Sequence, residues 1–203
     1  MHAKEVINIL QNQLSFSSKN ISDLKIFKNE LLKANSKHNF ISKSTETNIW
    51  HRHILDSAQL VKFIDFSKGS LSDLGSGGGF PGLVLAVFNT NRDFHVKLYE
   101  KSPIKRQFLD KVIKQLDLNA KVFSDVRYEK VDSDIIACRA FKKLDKVIQV
   151  SREIVKKPHK LMILKGQNAQ KEINKTFKSK KYPYKLENSM TNKDSKIILM
   201  QIR

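Results

Sequence analysis

Cysteine occurs once, at Cys138, so the chain can form no internal disulfide. Without a His/Cys cluster at ligand spacing, no metal site is expected. No apolar run approaches the ~20 residues needed to cross a bilayer, and no secretory leader pattern opens the sequence. A cytoplasmic chain with no membrane partner is the resulting expectation. Acids are scarce too: 20 Asp+Glu stand against 38 Lys+Arg, a net charge of +18, which points to a polyanion as partner. The excess is uneven, because Lys156 to Lys185 contains ten lysines and the single acid Glu172. At 203 residues the chain suffices for one substantial core with a small appendage. A monomer is the simplest expectation.

Glycine is also sparse, at seven residues, yet five of them fall between Gly75 and Gly82. Asp73-Leu74-Gly75-Ser76-Gly77-Gly78-Gly79-Phe80-Pro81-Gly82 follows the apolar run Ser70 to Leu74 and opens onto the apolar segment Gly82 to Phe88. That order reads as strand, turn, helix, with Pro81 suited to the first helical turn. Glycines let the backbone approach a ligand, and the helix start offers unpaired N–H groups. Gly77-x-Gly79-x-x-Gly82 fits a dinucleotide fingerprint, whereas Asp73-x-Gly75-x-Gly77-x-Gly79 looks like the first motif of Rossmann-like S-adenosylmethionine (SAM) methyltransferases. Register favours the second, because the strand ends near Asp73 and the frame starting at Gly75 meets Phe80 where the third glycine is needed. Asp73 can orient the loop or attract a sulfonium cation. A turn serving only packing is the plainer alternative.

Helical spacing predicts helices over residues 2–14, from Ser22 or Asp23 to an end around Asn35 to Asn39, and from about Thr47 to Phe63. In the third, His53, Asp56 and Ser57 share a face. Neighbours on one helix seldom reach the geometry of a nucleophilic triad, so they read as a hydrogen-bonded network docking the helix beside the glycine turn. From Ser70 onward strands alternate with helices, the pattern of a mostly parallel doubly wound sheet. The second strand ends at Glu100, placed to accept both ribose hydroxyls of a nucleoside. Pro103 opens a helix carrying Lys105 and Arg106. A third strand runs to Ser124, and the loop after it sets Tyr128 and Glu129 where an adenine would lie. Arg139 sits at the tip of the fourth strand, able to clamp a carboxylate bidentately, either a ligand's or that of a neighbouring site acid. Cys138 beside it reads as a buried, inert strand residue. Lys165 leaves the fifth strand at the same edge. Lys180 and Lys181 flank a turn before a final antiparallel pair, Lys185 to Met190 and Lys196 to Ile202. The reading is therefore α/β, with a helical cap over residues 1–66 and a seven-stranded Rossmann-like core over residues 67–203.

With Trp50 to Ser57, Asp73 to Gly82, Arg139-Ala140-Phe141 and Leu164-Lys165-Gly166 in place, the chain resembles the RsmG family, formerly GidB. The combination His-Ile-Leu-Asp-Ser followed by Asp-Leu-Gly-Ser-Gly-x-Gly-Phe-Pro-Gly carries the resemblance. It implies a class I SAM-dependent methyltransferase acting on guanine N7 in the 530 loop of 16S ribosomal RNA, alone or within the small ribosomal subunit. By motif position it implies cofactor contacts from Gly75, Phe80, Tyr128, Glu129 and Arg139, with Asp73, Gly77, Gly79 and Glu100 completing the site. Tyr128 replaces the small residue usual before the loop glutamate. No side chain is assigned as a general base, since guanine N7 carries a lone pair and no proton. Lys105, Arg106, Lys165, Lys180 and Lys181 are the RNA-binding candidates. A non-catalytic RNA-binding module with a residual nucleoside pocket is the competing class.

Overall fold

The computed structural model describes residues 1–179 and 182–203. Helix α1 (Ala3–Leu14) buries Val6, Leu10 and Leu14, one residue per turn or so along a single stripe. Helix α2 spans Ser18–Asn35, starting earlier than the sequence predicts. Its cap is Ser17 rather than Ser22 or Asp23: the Ser17 hydroxyl accepts the Asn20 N–H, and the Asn20 side chain accepts the Ser17 N–H. A short α3 (Lys43–Glu46) precedes one continuous helical run, which is a π-helical turn over Trp50–Leu55, an α-helical turn α4 (Asp56–Ala58) and a 3₁₀ turn over Gln59–Phe63.

Strands and helices then alternate as β1 (Gly69–Leu74), α5 (Gly82–Phe88), β2 (Phe94–Tyr99), α6 (Pro103–Gln115), β3 (Ala120–Phe123), β4 (Ile135–Arg139), α7 (Leu144–Ile154), β5 (His159–Lys165), α8 (Ala169–Ser179), β6 (Tyr184–Asn188) and β7 (Lys196–Ile202). A 3₁₀ turn over Val126–Tyr128 lies between β3 and β4. The seven strands form one sheet in the order β3-β2-β1-β4-β5-β7-β6, with β7 antiparallel to both its neighbours and the other pairings parallel. This is the mostly parallel Rossmann-like sheet of the sequence reading. Strand order reverses between β1 and β4, so the ends of those strands at Leu74 and Arg139 frame a crevice where open α/β sheets hold ligands.

Alternation along the strands sorts the core into two faces. Leu71, Val96, Leu98, Ala137 and Met162 face α5, α6 and the helices of the first 66 residues. Leu74, Ile136, Cys138, Leu161 and Ile163 face α7 and α8. Near-continuous burial of β1, β4 and β5 is what a parallel sheet covered on both sides demands. The N-terminal helices therefore share a core with the sheet. Trp50, the chain's one tryptophan, is buried within it. Unfolding followed by Trp50 fluorescence and by far-ultraviolet circular dichroism is expected to give coincident transitions. Two separated midpoints would mean that residues 1–66 unfold on their own.

Candidate active site

Backbone hydrogen bonds fix the glycine turn over the end of β2. The Gly75 and Ser76 N–H groups both donate to the Tyr99 carbonyl, at 2.9 and 3.0 Å. Gly75, Gly77 and Gly79 take φ of 75°, 55° and 99°, the left-handed region that only glycine enters without strain. A Cβ on Gly75 would also lie 2.7 Å from the Phe141 ring, whereas one on Gly77 would meet nothing closer than the Gly75 carbonyl at 3.8 Å. Gly77 is thus the point where the turn lies open to close approach. Gly79 is buried against Leu83.

Asp73 lies beneath the turn, fully buried, and its Oδ2 accepts the Gly82 N–H at 2.9 Å, holding the start of α5. Its Oδ1 is buried without a hydrogen-bond partner among the described residues. Burial pushes the carboxyl up to about 6, against the pull of the nearby Ser76 hydroxyl, the Gly82 N–H and the positive charge of Arg139. Below about 3.8 Asp73 is protonated in both states and its burial costs nothing extra; above about 6 it is ionised in both and carries the full penalty, so its contribution to stability falls as pH rises through that window, by up to about 3 kcal/mol. His53 works the other way. Burial, and then the charge of Arg139, depress its imidazole to about 3, so stability is lost as pH falls from about 6.5 toward 3. Because His53 is common to both proteins, the stability of the wild type minus that of Asp73→Asn is expected to decline between about pH 4 and 6. A flat difference in urea titrations across that range would show that Asp73 carries no such burden.

Glu100, buried at the end of β2, accepts the Gly77 N–H through Oε2 at 2.9 Å and the Ser102 N–H through Oε1 at 2.8 Å. The carboxylate is oriented by backbone donors, and each oxygen keeps a second lone pair. Arg139 Nη2 donates to His53 Nδ1 at 2.8 Å, while Nη1 donates to the Arg52 carbonyl at 3.1 Å and to Asp56 Oδ2 at 3.3 Å. Its guanidinium lies 4.9 Å from the centre of the Phe80 ring, which in turn stacks on His53 with centroids 5.0 Å apart. Arginine only donates, so His53 Nδ1 must accept. The neutral ring then carries its proton on Nε2, which donates to Thr45 Oγ1 at 2.8 Å. Asp56 Oδ1 accepts from Gln59 Nε2 and Thr191 Oγ1, both at 3.0 Å, binding the helical run to the β6–β7 loop. Of the three polar groups expected on one helix face, His53 and Asp56 build the docking network, and Ser57, among the described residues, bonds only within its own helix. They are not a triad: the Ser57 hydroxyl donates to the His53 carbonyl.

Other residues singled out by the sequence lie elsewhere. Phe80 is buried between His53 and Phe27. Tyr128 is exposed beneath the Arg127 guanidinium, and Glu129 accepts from the Ser124 hydroxyl. Among the described residues, no hydrogen bond joins either to the glycine turn. Arg106 donates to the Glu100 and Lys101 carbonyls, stiffening the exit from β2, and Lys105 is half-buried beside it. The Lys165 ammonium is largely buried and donates to Glu172 at 2.9 Å and to the Lys142 carbonyl at 2.8 Å. Lys180 and Lys181 lie outside the described residues. Burial pushes the Cys138 thiol up to about 12, which leaves no thiolate for covalent chemistry. Beside Arg139, a cleft of about 420 Å³ opens between the β4 and β5 tips, the Arg52–Asp56 turn and the β6–β7 loop. Glu172 lines this cleft although no motif of the sequence singles it out.

A family model described as GidB, rRNA small subunit methyltransferase G, matches residues 20–198. The chain is 34% identical over 193 residues to the ribosomal RNA small subunit methyltransferase G of Pelagibacter ubique, covering 92% of this chain and 90% of that one. It is 37% identical over 180 residues to the protein of the same name from Rickettsia felis, covering 88% and 91%. A crystal structure of a SAM dependent methyltransferase from Aquifex aeolicus superposes with a TM-score of 0.58 at 12% identity, covering 87% of this chain and 98% of that one, a likeness of fold.

Proposed function

The chain belongs to the rRNA small subunit methyltransferase G family, and from that premise we propose that it transfers a methyl group from SAM to N7 of a guanine in the 530 loop of 16S rRNA. One observation carries the reading: at the β1/β4 switch point, an oriented carboxylate, an open glycine turn and a fixed guanidinium converge on the same strand edge. These groups fit the cofactor. Gly75 and Gly77 would pass close to it, Glu100 would offer its remaining lone pairs to the ribose hydroxyls, Tyr128 and Glu129 would border the adenine, and Arg139 would hold the methionyl carboxylate. Asp73, Gly79 and Phe80 would act from beneath by setting the turn.

When bound, SAM supplies a methyl group on a sulfonium, which the guanine N7 lone pair takes up as the carbon–sulfur bond breaks. No proton leaves N7, so no general base is required of the chain. The residues supply orientation instead, for which effective molarities of ~10⁵ M or more are available. Asp56 and Glu172 border the cleft among Arg52, Arg139, Lys165 and Lys196, and a carboxylate close to the base would favour the cationic product. The lysine-rich surface, Lys105 and Arg106 included, would meet RNA phosphates, with affinity falling steeply as salt rises. The substrate is 16S rRNA, free or assembled, and the chain acts as a monomer in the cytoplasm.

Isothermal titration with SAM and with NAD, followed by labelled methyl transfer to unmodified small ribosomal subunits, tests this reading. SAM binding with label recovered as 7-methylguanosine is the expected result. NAD binding without SAM binding overturns it, as does transfer to any other base atom.

A further inference from the structure

Gly166 follows β5 and Glu172 lies in the first turn of α8; Glu172 ties α8 to Leu144 and Lys165 through one oxygen only, and Gly166 is explained by no contact that holds the fold together. Gly166 is exposed at the end of β5 with an ordinary negative-side backbone, and a Cβ built on it meets nothing within 4 Å. Neither conformation nor packing therefore requires glycine there. It nevertheless lines the cleft of about 420 Å³ beside Arg139. A glycine without an internal reason, at the rim of a cleft, is what close passage of a ligand would select.

Glu172 lines the same cleft from the first turn of α8. Its Oε2 accepts both the Leu144 N–H and the Lys165 ammonium, at 2.9 Å each. Its Oε1 has no partner among the described residues, and the side chain is about one-third exposed. By contrast, both oxygens of Asp56 are engaged by Arg139, Gln59 and Thr191. The cleft thus presents one anchored carboxylate with an acceptor to spare. Its volume falls in the range of ~300–1,000 Å³ typical of small-molecule sites, and it suits one extruded nucleotide. The other side of Glu172 borders a groove between α7 and α8 where Lys143, Lys146, Arg152, Lys156 and Lys175 outnumber the acids Asp145 and Glu153. Cationic walls beside a pocket with a single free carboxylate match a base in the pocket and phosphates in the groove.

We propose that this cleft receives the target base, and that Glu172 reads the Watson–Crick edge of guanine through Oε1, whose two lone pairs accept from the N1–H and the 2-amino group, while Gly166 leaves room for the nucleotide to enter. Adenine offers a lone pair at N1 and would meet the carboxylate with like polarity, so the arrangement selects guanine. The inference rests on the rRNA methyltransferase reading and deepens it by naming the residues that choose the base.

The test uses reconstituted small subunits carrying either guanine or hypoxanthine at the methylated position. Hypoxanthine keeps N7 and N1–H but lacks the 2-amino group. Wild-type protein is expected to favour guanine about tenfold or more. Glu172→Gln is expected to bind SAM normally, to methylate guanine about tenfold more slowly, and to discriminate less than about twofold between the two bases. Gly166→Ala is expected to keep wild-type stability and SAM affinity, with methyl transfer reduced about tenfold by the methyl group in the cleft. A Glu172→Gln protein that slows both substrates equally would overturn the recognition role, leaving Glu172 as support for Lys165. Gly166→Ala and Gly166→Val proteins that are both fully active would overturn the cleft assignment, even if Glu172→Gln failed to fold. Absence of transfer by the wild type would instead bring down the methyltransferase reading itself.

Discussion

Arg139→Lys is expected to lower methyl transfer about 100-fold or more, the equivalent of roughly 3 kcal/mol at the transition state, while the protein stays folded. Lysine keeps the charge but not the fork. Arg139 donates to His53 Nδ1, Asp56 Oδ2 and the Arg52 carbonyl while its plane lies over Phe80, and a single ammonium cannot serve those partners and stack on the ring together. Arg139→Ala should lose the same activity and more stability, because it strips His53 Nδ1 of its donor and leaves Asp56 with only neutral partners. SAM affinity by calorimetry, turnover on small subunits and urea unfolding separate the two effects. Unchanged SAM affinity and turnover in Arg139→Lys would reduce Arg139 to a structural tie between the helical run and the sheet.

The Arg139 network also marks where the sequence stops being legible. The alternation of strand and helix is read correctly from residue 70 onward, and α5 and β7 have the predicted ends, because in those segments pattern, caps and burial agree. Asp73, Glu100 and Arg139 could be placed at strand tips for the same reason. Their partners could not. Glu100 is held by backbone N–H groups, which every residue but proline has, so no side-chain signal announces Gly77 and Ser102 as donors. His53 meets Arg139 across 86 positions of sequence, through a π-helical turn that helical periodicity does not foresee. The start of α2 was obscured because Asn20 plays the capping-box role usual for Glu or Gln, inside a polar run that reads as a turn. Lys165 reads as an RNA-binding candidate at a strand exit, but the chain folds back at the start of α8 and presents Glu172 to it. Local pattern thus places titratable groups at strand tips, and tertiary approach decides which partners each one meets.

Gly82→Ala is expected to destabilise the protein by about 3 kcal/mol, within the range found for overpacked cores. Ordinarily alanine is favoured over glycine in a helix by about 1 kcal/mol. Here the sign reverses because the first residue of α5 lies against the end of β1. The new Cβ would stand 2.6 Å from Asp73 Oδ2, 2.9 Å from Asp73 Cβ and 3.1 Å from Leu98 Cδ2. Neither neighbour can yield. Asp73 is fully buried in a strand paired on both sides, and Leu98 is fully buried on β2. Relief must come from moving α5 outward, which stretches the bond from the Gly82 N–H to Asp73 and leaves more of a buried carboxylate unpaired. The same shift displaces the glycine turn, so SAM affinity should fall together with stability. Urea unfolding and calorimetry on Gly82→Ala, beside Gly166→Ala as the glycine with open space above it, provide the comparison. Equal stability of the two variants would mean that the β1–α5 junction repacks freely, and that the turn is not held by the close approach of helix to strand.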